Sequence, residues 1–375
     1  MLLIKGGYLH LPNQEVIAGD VLIEKDKIVK VGQNITNETA EIFDAKGKEI
    51  FPGFILPVTS VGLTDYANLR QGDSNETAVP CNPSLHVRYA LDGREIALQR
   101  YWLGGITSIG AAPANGALLA GQMGVYHVSG GMAASQLCVK DTVAVKGNFT
   151  SEVKSTFVNK NMAPMTRMGM ASCFRNILKE TQIWLEDETP APNKDYETLS
   201  RVLKGELPIL VNANTSVDIS DVLNIAEEFQ IKVILNGIYE GDKVIEQIEK
   251  LGAALIIGDL FDSGAAVWYE SDFDKLLSKR KNLEISIGCS TGSVGKENLL
   301  WNACRLVQKG YSAADVLDLM TVQTAKILGV DDLIGSIKEG LFADLVIYNN
   351  NPLEKWSADL EATIVAGKIV YRKGE

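Results

Sequence analysis

The sequence predicts an α/β fold, a (β/α)8 barrel with a small β-subdomain built from both ends of the chain. Between residues 207 and 287, short apolar runs alternate with segments of helical period, which is the pattern of parallel strands joined by helices. At both ends of the chain, apolar runs of strand length follow one another. We therefore expect residues 53–339 to form the barrel, and residues 1–52 with 340–375 to form the subdomain.

The two chain ends carry the strand signals of the subdomain. Residues 16–32 hold two apolar runs around a polar Lys-Asp-Lys turn, which predicts a hairpin. Residues 343–348 and 364–371 are further apolar runs of strand length. Neither end supplies enough strands to bury a hydrophobic face alone. We therefore expect both ends to combine into one subdomain.

The central segment carries the clearest alternation. Apolar runs at 207–211, 232–235, 254–257 and 285–287 have the length of strands. Between the first three runs, apolar residues recur at helical spacing. Gly252 follows the second of these helical segments and suits the first position beyond a helix. Eight such strand–helix units would fill the barrel segment.

Composition and charge exclude several classes of partner. The chain has 375 residues and a formal net charge of −11, which argues against a nucleic-acid or anionic-membrane partner. No apolar run reaches the roughly 20 residues that span a bilayer, and the N-terminus lacks a signal-peptide pattern. Five cysteines without a Cys-x-x-Cys pair suit reduced thiols. We expect a cytoplasmic protein, and a leader removed by processing would be compatible with the same sequence.

Residues 51–60 read Phe-Pro-Gly-Phe-Ile-Leu-Pro-Val-Thr-Ser. The first half resembles the Pro-Gly-hydrophobic-Ile run that opens the barrel of the amidohydrolase superfamily. Further segments resemble its imidazolonepropionase-like branch, in the right order over nearly the whole chain; they are 75–80, 104–108, 113–122, 166–169 and 321–346. The resemblance implies a (β/α)8 TIM barrel and a composite β-sandwich from both termini, which agrees with the periodicity.

The resemblance also implies where a catalytic metal would bind, and those positions have changed. The superfamily uses a His pair after strand 1, one His each after strands 5 and 6, and an Asp after strand 8. The matching residues here are Val58, Ser60, Asn212, Asn236 and Ser290. Val58 has no lone pair, and the amide oxygen of asparagine is a weak, neutral ligand. We therefore regard these positions as vestigial and expect neither a bound metal nor another cofactor.

The three histidines of the chain support the same interpretation. His10, His86 and His127 share no close spacing, and we interpret each as a structural histidine. Three histidines cannot supply the four that the superfamily site uses. A metal site of the superfamily type is therefore not expected, whatever the alignment.

Polar residues remain at the carboxyl ends of the predicted strands, where barrel enzymes bind ligands. They are Asn212, Asn214, Asn236, Asp259, Cys289, Ser290 and Thr291. Two interpretations are open. One is a retained ligand pocket formed by Asn212, Asn214, Asn236, Asp259 and Ser290. The other is sequence drift, in which polar residues are tolerated at a barrel mouth exposed to water. Asp259 is the one carboxylate candidate for a general base, with a helix cap as its alternative role. Cys289 is interpreted as a small buried thiol, because no histidine is placed to activate it.

The sequence thus predicts an amidohydrolase-like protein without a metal site, which is non-catalytic and acts as a binding or partner subunit. The expected partners are a polar small molecule, and a metal-bearing paralogue or a second copy of this chain. One alternative is an active C–N bond hydrolase with an altered, metal-independent site, which needs a base such as Asp259. Another is a structural oligomer subunit, which needs a large apolar surface away from the barrel mouth.

Overall fold

The computed structural model describes residues 1–12, 16–63, 72–131, 133–258, 272–289 and 298–374. Within them, sixteen strands form two eight-stranded sheets. The strands are β1 (Leu2–Leu9), β2 (Ile17–Glu24), β3 (Lys27–Gly32), β4 (Glu41–Asp44), β5 (Glu49–Pro52), β6 (Phe54–Thr59), β7 (Ile106–Ala111), β8 (Leu119–His127), β9 (Cys138–Asn148), β10 (Ile209–Asn212), β11 (Val233–Asn236), β12 (Ala254–Ile257), β13 (Ile285–Ile287), β14 (Leu345–Tyr348), β15 (Leu360–Val365) and β16 (Lys368–Arg372).

The helices of the described residues lie mainly between the strands of the second sheet and after it. They are α1 (Ile96–Gln99), α2 (Ala134–Leu137), α3 (Ser151–Asn159), α4 (Arg167–Glu186), α5 (Lys194–Leu203), α6 (Ser216–Phe229), α7 (Ile245–Leu251), α8 (Phe273–Leu277), α9 (Asn298–Gln308), α10 (Ala313–Met320) and α11 (Val322–Ile327). Three 3₁₀ segments are Val87–Tyr89, Arg100–Gly104 and Gly241–Val244. Across the described part of the chain, no helix combines the length and apolarity needed to cross a membrane.

The first sheet joins the two ends of the chain. Its order is β16-β15-β14-β5-β1-β2-β3, with β4 beside β1. Strand β14 runs antiparallel to β5, so that Ile347 lies opposite Ile50. The predicted hairpin is confirmed, because β2 and β3 pair antiparallel around the polar turn. Alternate residues of these strands bury an apolar face that includes Ile4, Val21, Ile23, Ile50 and Leu345.

The second sheet has the order β13-β12-β11-β10-β9-β8-β7-β6. From β9 to β13 every neighbouring pair is parallel, and so is the pair β6–β7. Helices α6 and α7 lie between successive strands from β10 to β12, as the alternation predicted, and α8 lies between β12 and β13. The predicted helix stop is also confirmed, because Gly252 ends α7 in the left-handed conformation with φ of 62°.

The expectation of eight strand–helix units is wrong for the first half of this sheet. Strand β8 runs antiparallel to both β7 and β9. The seven-residue connection 112–118 between β7 and β8 contains no helix, and only the four-residue α2 precedes β9. A parallel crossover needs about a dozen residues or more, whereas antiparallel neighbours can be joined by a short turn. The connection at 112–118 is therefore too short for the predicted topology.

The two edge strands of the second sheet lie near each other. Helices α10 and α11 contact both β6 and β13. A Cβ added at Gly288, just after β13, would lie 3.3 Å from Cγ of Pro57 in β6. No pairing of β6 with β13 occurs within the described residues. The enclosed face of the sheet is filled by an apolar layer that includes Val58, Leu210, Ile234 and Ile256.

Candidate ligand-binding site

A cavity of about 500 Å³ lies at the carboxyl ends of the strands of the second sheet. Its volume falls within the usual range of small-molecule sites. Residues at or just after the ends of β6, β7 and β9 to β13 contribute to its wall. The described lining residues are Val58, Thr59, Ser60, Pro113, Ala114, Asn115, Lys146, Thr150, Ser151, Glu152, Asn212, Asn214, Asn236, Gly237, Tyr239, Gly258 and Cys289.

The structure brings most of the sequence-predicted site residues to this one cavity. The described members are Val58, Ser60, Asn212, Asn214 and Asn236, and Cys289 joins them on the wall. Three further predicted residues, Asp259, Ser290 and Thr291, lie outside the described residues. The positions at β6, β10 and β11 that the resemblance aligns with metal ligands therefore line a common cavity.

Strand register explains how the polar side chains meet. Asn148, Asn212 and Asn236 are lateral partners across β9, β10 and β11. Side chains at such partnered positions point to the same face of a parallel sheet, and residues two apart on one strand share that face. Lys146 therefore lies on the same face as Asn148. Leu210, two residues before Asn212, belongs to the apolar layer beneath the cavity.

Lys146 is a residue that the sequence reasoning missed. Its side chain lines the cavity although the residue is only 1% exposed. Nζ donates to the carbonyl oxygen of Gly147 at 3.1 Å, to Oδ1 of Asn115 at 3.3 Å, and to Oδ1 of Asn148. The sequence does carry a signal for it, a single lysine directly after the apolar run 143–145. Lysine is almost never buried without a partner, so a lysine in a buried strand indicates polar partners beside it.

Two influences on the charge of Lys146 oppose each other. Burial lowers the pKa of Lys146 to about 7, and the carboxylate of Glu152 acts in the opposite direction. The contacts of Nζ favour the charged form, because an ammonium donates three hydrogen bonds and finds three oxygen acceptors. A neutral amine would direct its lone pair at one of those oxygens. We therefore assign the ammonium form to Lys146 at and below neutral pH.

A chain of three asparagine side chains crosses the cavity wall, and we call it the amide ladder: Asn115, Asn212 and Asn236. Nδ2 of Asn212 donates to Oδ1 of Asn115 at 2.7 Å. Nδ2 of Asn236 donates to Oδ1 of Asn212 at 2.6 Å. Oδ1 of Asn115 thus accepts from both Asn212 and Lys146. All three amides are half-buried and line the cavity.

A hydroxyl on the same wall has no hydrogen-bond partner among the described residues. Thr150 is 6% exposed, and its Oγ1 is buried and unpaired. Thr150 precedes helix α3, where a threonine side chain commonly accepts from a backbone N–H of the first turn. It makes no such bond here. An unpaired buried hydroxyl costs about 1–3 kcal/mol, so water or a ligand in the cavity is the natural partner.

The described residues of this cavity do not fit a catalytic transition metal. Val58 supplies no donor, and Oδ1 of Asn212 already accepts a hydrogen bond from Asn236. The ammonium of Lys146 places a positive charge beside the ladder, which opposes a divalent cation. No cluster of three or more His, Cys, Asp or Glu suited to a metal occurs in the described ranges. The donor set is that of a hydrogen-bonding pocket.

The three histidines are engaged elsewhere. His10 contacts Glu49 at 2.7 Å and stacks on Phe51. His86 contacts Oγ1 of Thr142 at 3.0 Å. His127 contacts Oδ2 of Asp344 at 3.0 Å, in a pair that is almost fully buried. None of the three belongs to the described wall of the cavity.

Comparison with known sequences identifies relatives. Residues 257–371 match the sequence profile of an amidohydrolase family. The chain is 23% identical over 405 residues to amidohydrolase tasK of Hapsidospora irregularis; the match covers 92% of this chain and 39% of that relative. A 55-residue segment is 51% identical to 5-methylthioadenosine/S-adenosylhomocysteine deaminase of Thermococcus onnurineus, covering 14% of this chain and 13% of the deaminase. The chain therefore spans well under half the length of these two relatives.

Comparison with solved structures extends over the whole chain. An amidohydrolase from Thermotoga maritima is similar with a TM-score of 0.91 and 26% sequence identity, covering 100% of both chains. Guanine deaminase of E. coli is similar with a TM-score of 0.55 and 13% identity, also over 100% of both chains, which bears on the fold alone. Together with the sequence match of residues 257–371, these similarities show that the chain belongs to the amidohydrolase superfamily.

Proposed function

We propose that this protein is a non-catalytic member of the superfamily that binds a polar, uncharged small molecule in the cavity. The observation that carries the proposal is the amide ladder held by Lys146. Two of its members, Asn212 and Asn236, occupy positions where the resemblance expects metal-ligating histidines. Hydrogen-bonding amides thus replace metal donors while the cavity persists.

The cavity offers hydrogen bonds without an activated nucleophile among its described residues. A general base needs a free lone pair within reach of its substrate. The ammonium of Lys146 has no lone pair, and its three N–H groups donate to oxygen acceptors that hold it in this form. In that form Lys146 is not a general base. Glu152 lies in the first turn of α3 and is exposed to solvent. Binding without turnover is the function that this arrangement supports best.

The ligand class follows from the chemistry of the wall. Asparagine side chains each provide two N–H donors and one oxygen acceptor. Amides, lactams and peptide-like compounds present the complementary groups without a net charge. The unpaired Thr150 hydroxyl supplies one further contact. These are the features of a small-molecule pocket with a few convergent polar groups.

The proposal extends to the architecture and to assembly. We propose that the second sheet is a (β/α)8 barrel with β8 reversed, spanning residues 53–339, because its edge strands approach each other. Residues 1–52 and 340–375 form the composite subdomain, supported by the pairing of β14 with β5. A metal-bearing paralogue or a second copy of the chain is the proposed protein partner, since a non-catalytic homologue can act through such a complex.

A thermal-shift screen of amide, lactam and peptide-like compounds tests the binding function. It compares the wild-type protein with Asn212→Leu, Asn236→Leu and the matched control Asn224→Leu, whose asparagine is exposed on α6. Compounds at a hundredfold excess over Kd are expected to stabilise the wild type and the control by about 2.7 kcal/mol. The two ladder variants are expected to lose that stabilisation. Equal stabilisation of all four proteins would place the ligand elsewhere.

One observation favours a second candidate, an active metal-independent C–N bond hydrolase. Burial lowers the pKa of Lys146 to about 7, so a neutral amine would be accessible slightly above neutral pH. That amine would be the base or nucleophile which the first candidate lacks. Turnover of any compound from the screen by the wild type, lost in Lys146→Met, would establish the hydrolase and overturn the non-catalytic proposal.

A further inference from the structure

We propose that Lys146 is a positioning residue that fixes the direction of the amide ladder, and with it the order of donors and acceptors offered to the ligand. The inference rests on the proposed ligand-binding function of the cavity. It follows from three successive hydrogen bonds, each of which leaves one choice of orientation.

The first step is the contact between Lys146 and Asn115. The oxygen and nitrogen of an asparagine amide have nearly the same shape, so a half-turn of the amide exchanges donor and acceptor. An ammonium donates and never accepts, so Asn115 must direct Oδ1 towards Nζ. Asn148 is held in the same way, because its Nδ2 donates to the carbonyl oxygen of Ala117 at 2.7 Å and its Oδ1 faces Lys146.

The next two steps transmit this choice along the ladder. Oδ1 of Asn115 faces Asn212, which must respond with Nδ2 because two amide oxygens repel each other. Asn212 then directs its Oδ1 towards Asn236, which must also respond with Nδ2. Lys146 has no hydrogen bond to Asn212 or Asn236 among the described contacts, yet it determines how both amides point.

The direction of the ladder defines what a ligand has to offer. At the Lys146 end, Nδ2 of Asn115 is the donor left for a ligand. At the far end, Oδ1 of Asn236 is the acceptor left for a ligand. Neither atom has a hydrogen-bond partner among the described residues. The preferred ligand therefore presents an acceptor towards Asn115 and a donor towards Asn236, as an amide group with a free N–H does. A tertiary amide lacks the donor and is expected to bind roughly two- to tenfold more weakly, the usual effect of one hydrogen bond.

The test reads the ladder directly by NMR, without any ligand. The protein is labelled with ¹⁵N-asparagine, and the side-chain amide resonances are assigned from their loss in Asn115→Leu, Asn212→Leu and Asn236→Leu. In the wild type each ladder amide is expected to give one pair of proton resonances. In Lys146→Met the direction is no longer imposed, so the pairs of Asn212 and Asn236 are expected to shift and double. The control is Lys140→Met, an exposed lysine on the same strand β9, which is expected to leave both pairs unchanged.

A folded Lys146→Met protein with unchanged resonances at Asn212 and Asn236 would overturn the inference. If that variant does not fold, Lys146→Gln replaces it, because a glutamine amide both donates and accepts and so imposes no direction. The same doubling is then expected, and its absence is equally decisive. Because the spectra need no ligand, they remain informative even where the thermal-shift screen finds no bound compound. A screen that finds no bound compound and spectra that show no change at Asn212 and Asn236 are therefore separate results.

Discussion

The two halves of the second sheet differ in regularity, and the cavity is built from both. Strands β10 to β13 are parallel, with helices α6, α7 and α8 between them. Strands β6 to β9 include the reversed strand β8, with no helix between it and β7 in the described residues. The hydrogen bond of 2.7 Å between Asn212 and Asn115 joins the regular half to the irregular half.

The two halves contribute different residues to the amide ladder. The regular half supplies Asn212 and Asn236, which stand at positions of former metal ligands by resemblance. The irregular half supplies Lys146 and Asn115, which hold those amides in place. In the proposed account, hydrogen bonds made by the buried Lys146 and by Asn115 organise the cavity in place of a metal.

The largest effect is expected at the buried pair that ties the irregular half to the first sheet. His127 at the end of β8 contacts Oδ2 of Asp344, whose Oδ1 accepts from the N–H of Ala366 at 2.8 Å. Asp344→Ala leaves the buried His127 and the half-buried N–H of Ala366 without their acceptor. It is expected to lower the free energy of unfolding by about 3–5 kcal/mol. The matched change in the regular half is Glu249→Ala, which removes a partly exposed salt bridge to Lys279 and is expected to cost at most about 1 kcal/mol. Urea unfolding of both variants measures the difference, and equal losses would contradict the comparison.

A smaller effect is expected from close strand packing in the irregular half. A Cβ added at Gly110 in β7 would lie 2.0 Å from the backbone oxygen of Pro57 in β6. Among the described residues, a Cβ added at Gly258, after β12, would meet only an ordinary contact, with Cα of Gly237 at 3.9 Å. Gly110→Ala is therefore expected to lower the free energy of unfolding by about 1–3 kcal/mol, and Gly258→Ala to change it by less than about 0.5 kcal/mol. Thermal unfolding of the two variants would contradict this account if their midpoints coincided.

A pH-dependent effect is expected from Lys146. Because burial lowers its pKa to about 7, the unfolded chain binds a proton between about pH 7 and pH 10 that the folded chain has released. The free energy of unfolding contributed by Lys146 therefore rises with pH in that window, by at most about 1.4 kcal/mol per pH unit. Lys146→Met removes this contribution. The free energy of unfolding of the wild type should therefore rise relative to that of the variant as the pH rises. If the free energies of unfolding of the wild type and of Lys146→Met changed equally from pH 7 to 10, the prediction would be contradicted. The three oxygen acceptors would then fully offset the effect of burial on the pKa of Lys146.

The regular half of the sheet was predictable because its apolar residues recur with clear periods. Strands of three or four residues alternate with helices whose buried side chains, such as Val222 and Phe229 of α6, fall on one face. The reversed strand β8 was not predictable in this way. Eight of its nine residues are buried, so no alternation distinguishes its faces, and its direction depends on pairing with residues distant in sequence.

The same contrast applies to the candidate site. Asn212, Asn214 and Asn236 were identified because they stand at or just after the ends of strands that the periodicity had located. Asn115 lies in a connection whose course depends on the unexpected topology. Lys146 lies within a strand, and burial of a lysine there requires the oxygen atoms of Asn115 and Asn148, which come from separate positions of the fold. Local sequence patterns do not contain that information.

The central claim is that the cavity is organised by the amide ladder and not by a metal. Elemental analysis of the purified protein, prepared without chelators, tests it most directly. The account predicts far less than one Zn, Fe or Mn per chain, because the described donors at the vestigial positions are absent, neutral or already hydrogen-bonded. About one metal ion per chain, reduced in both Asn212→Leu and Asn236→Leu but not in Asn224→Leu, would place a metal at the ladder and contradict the account.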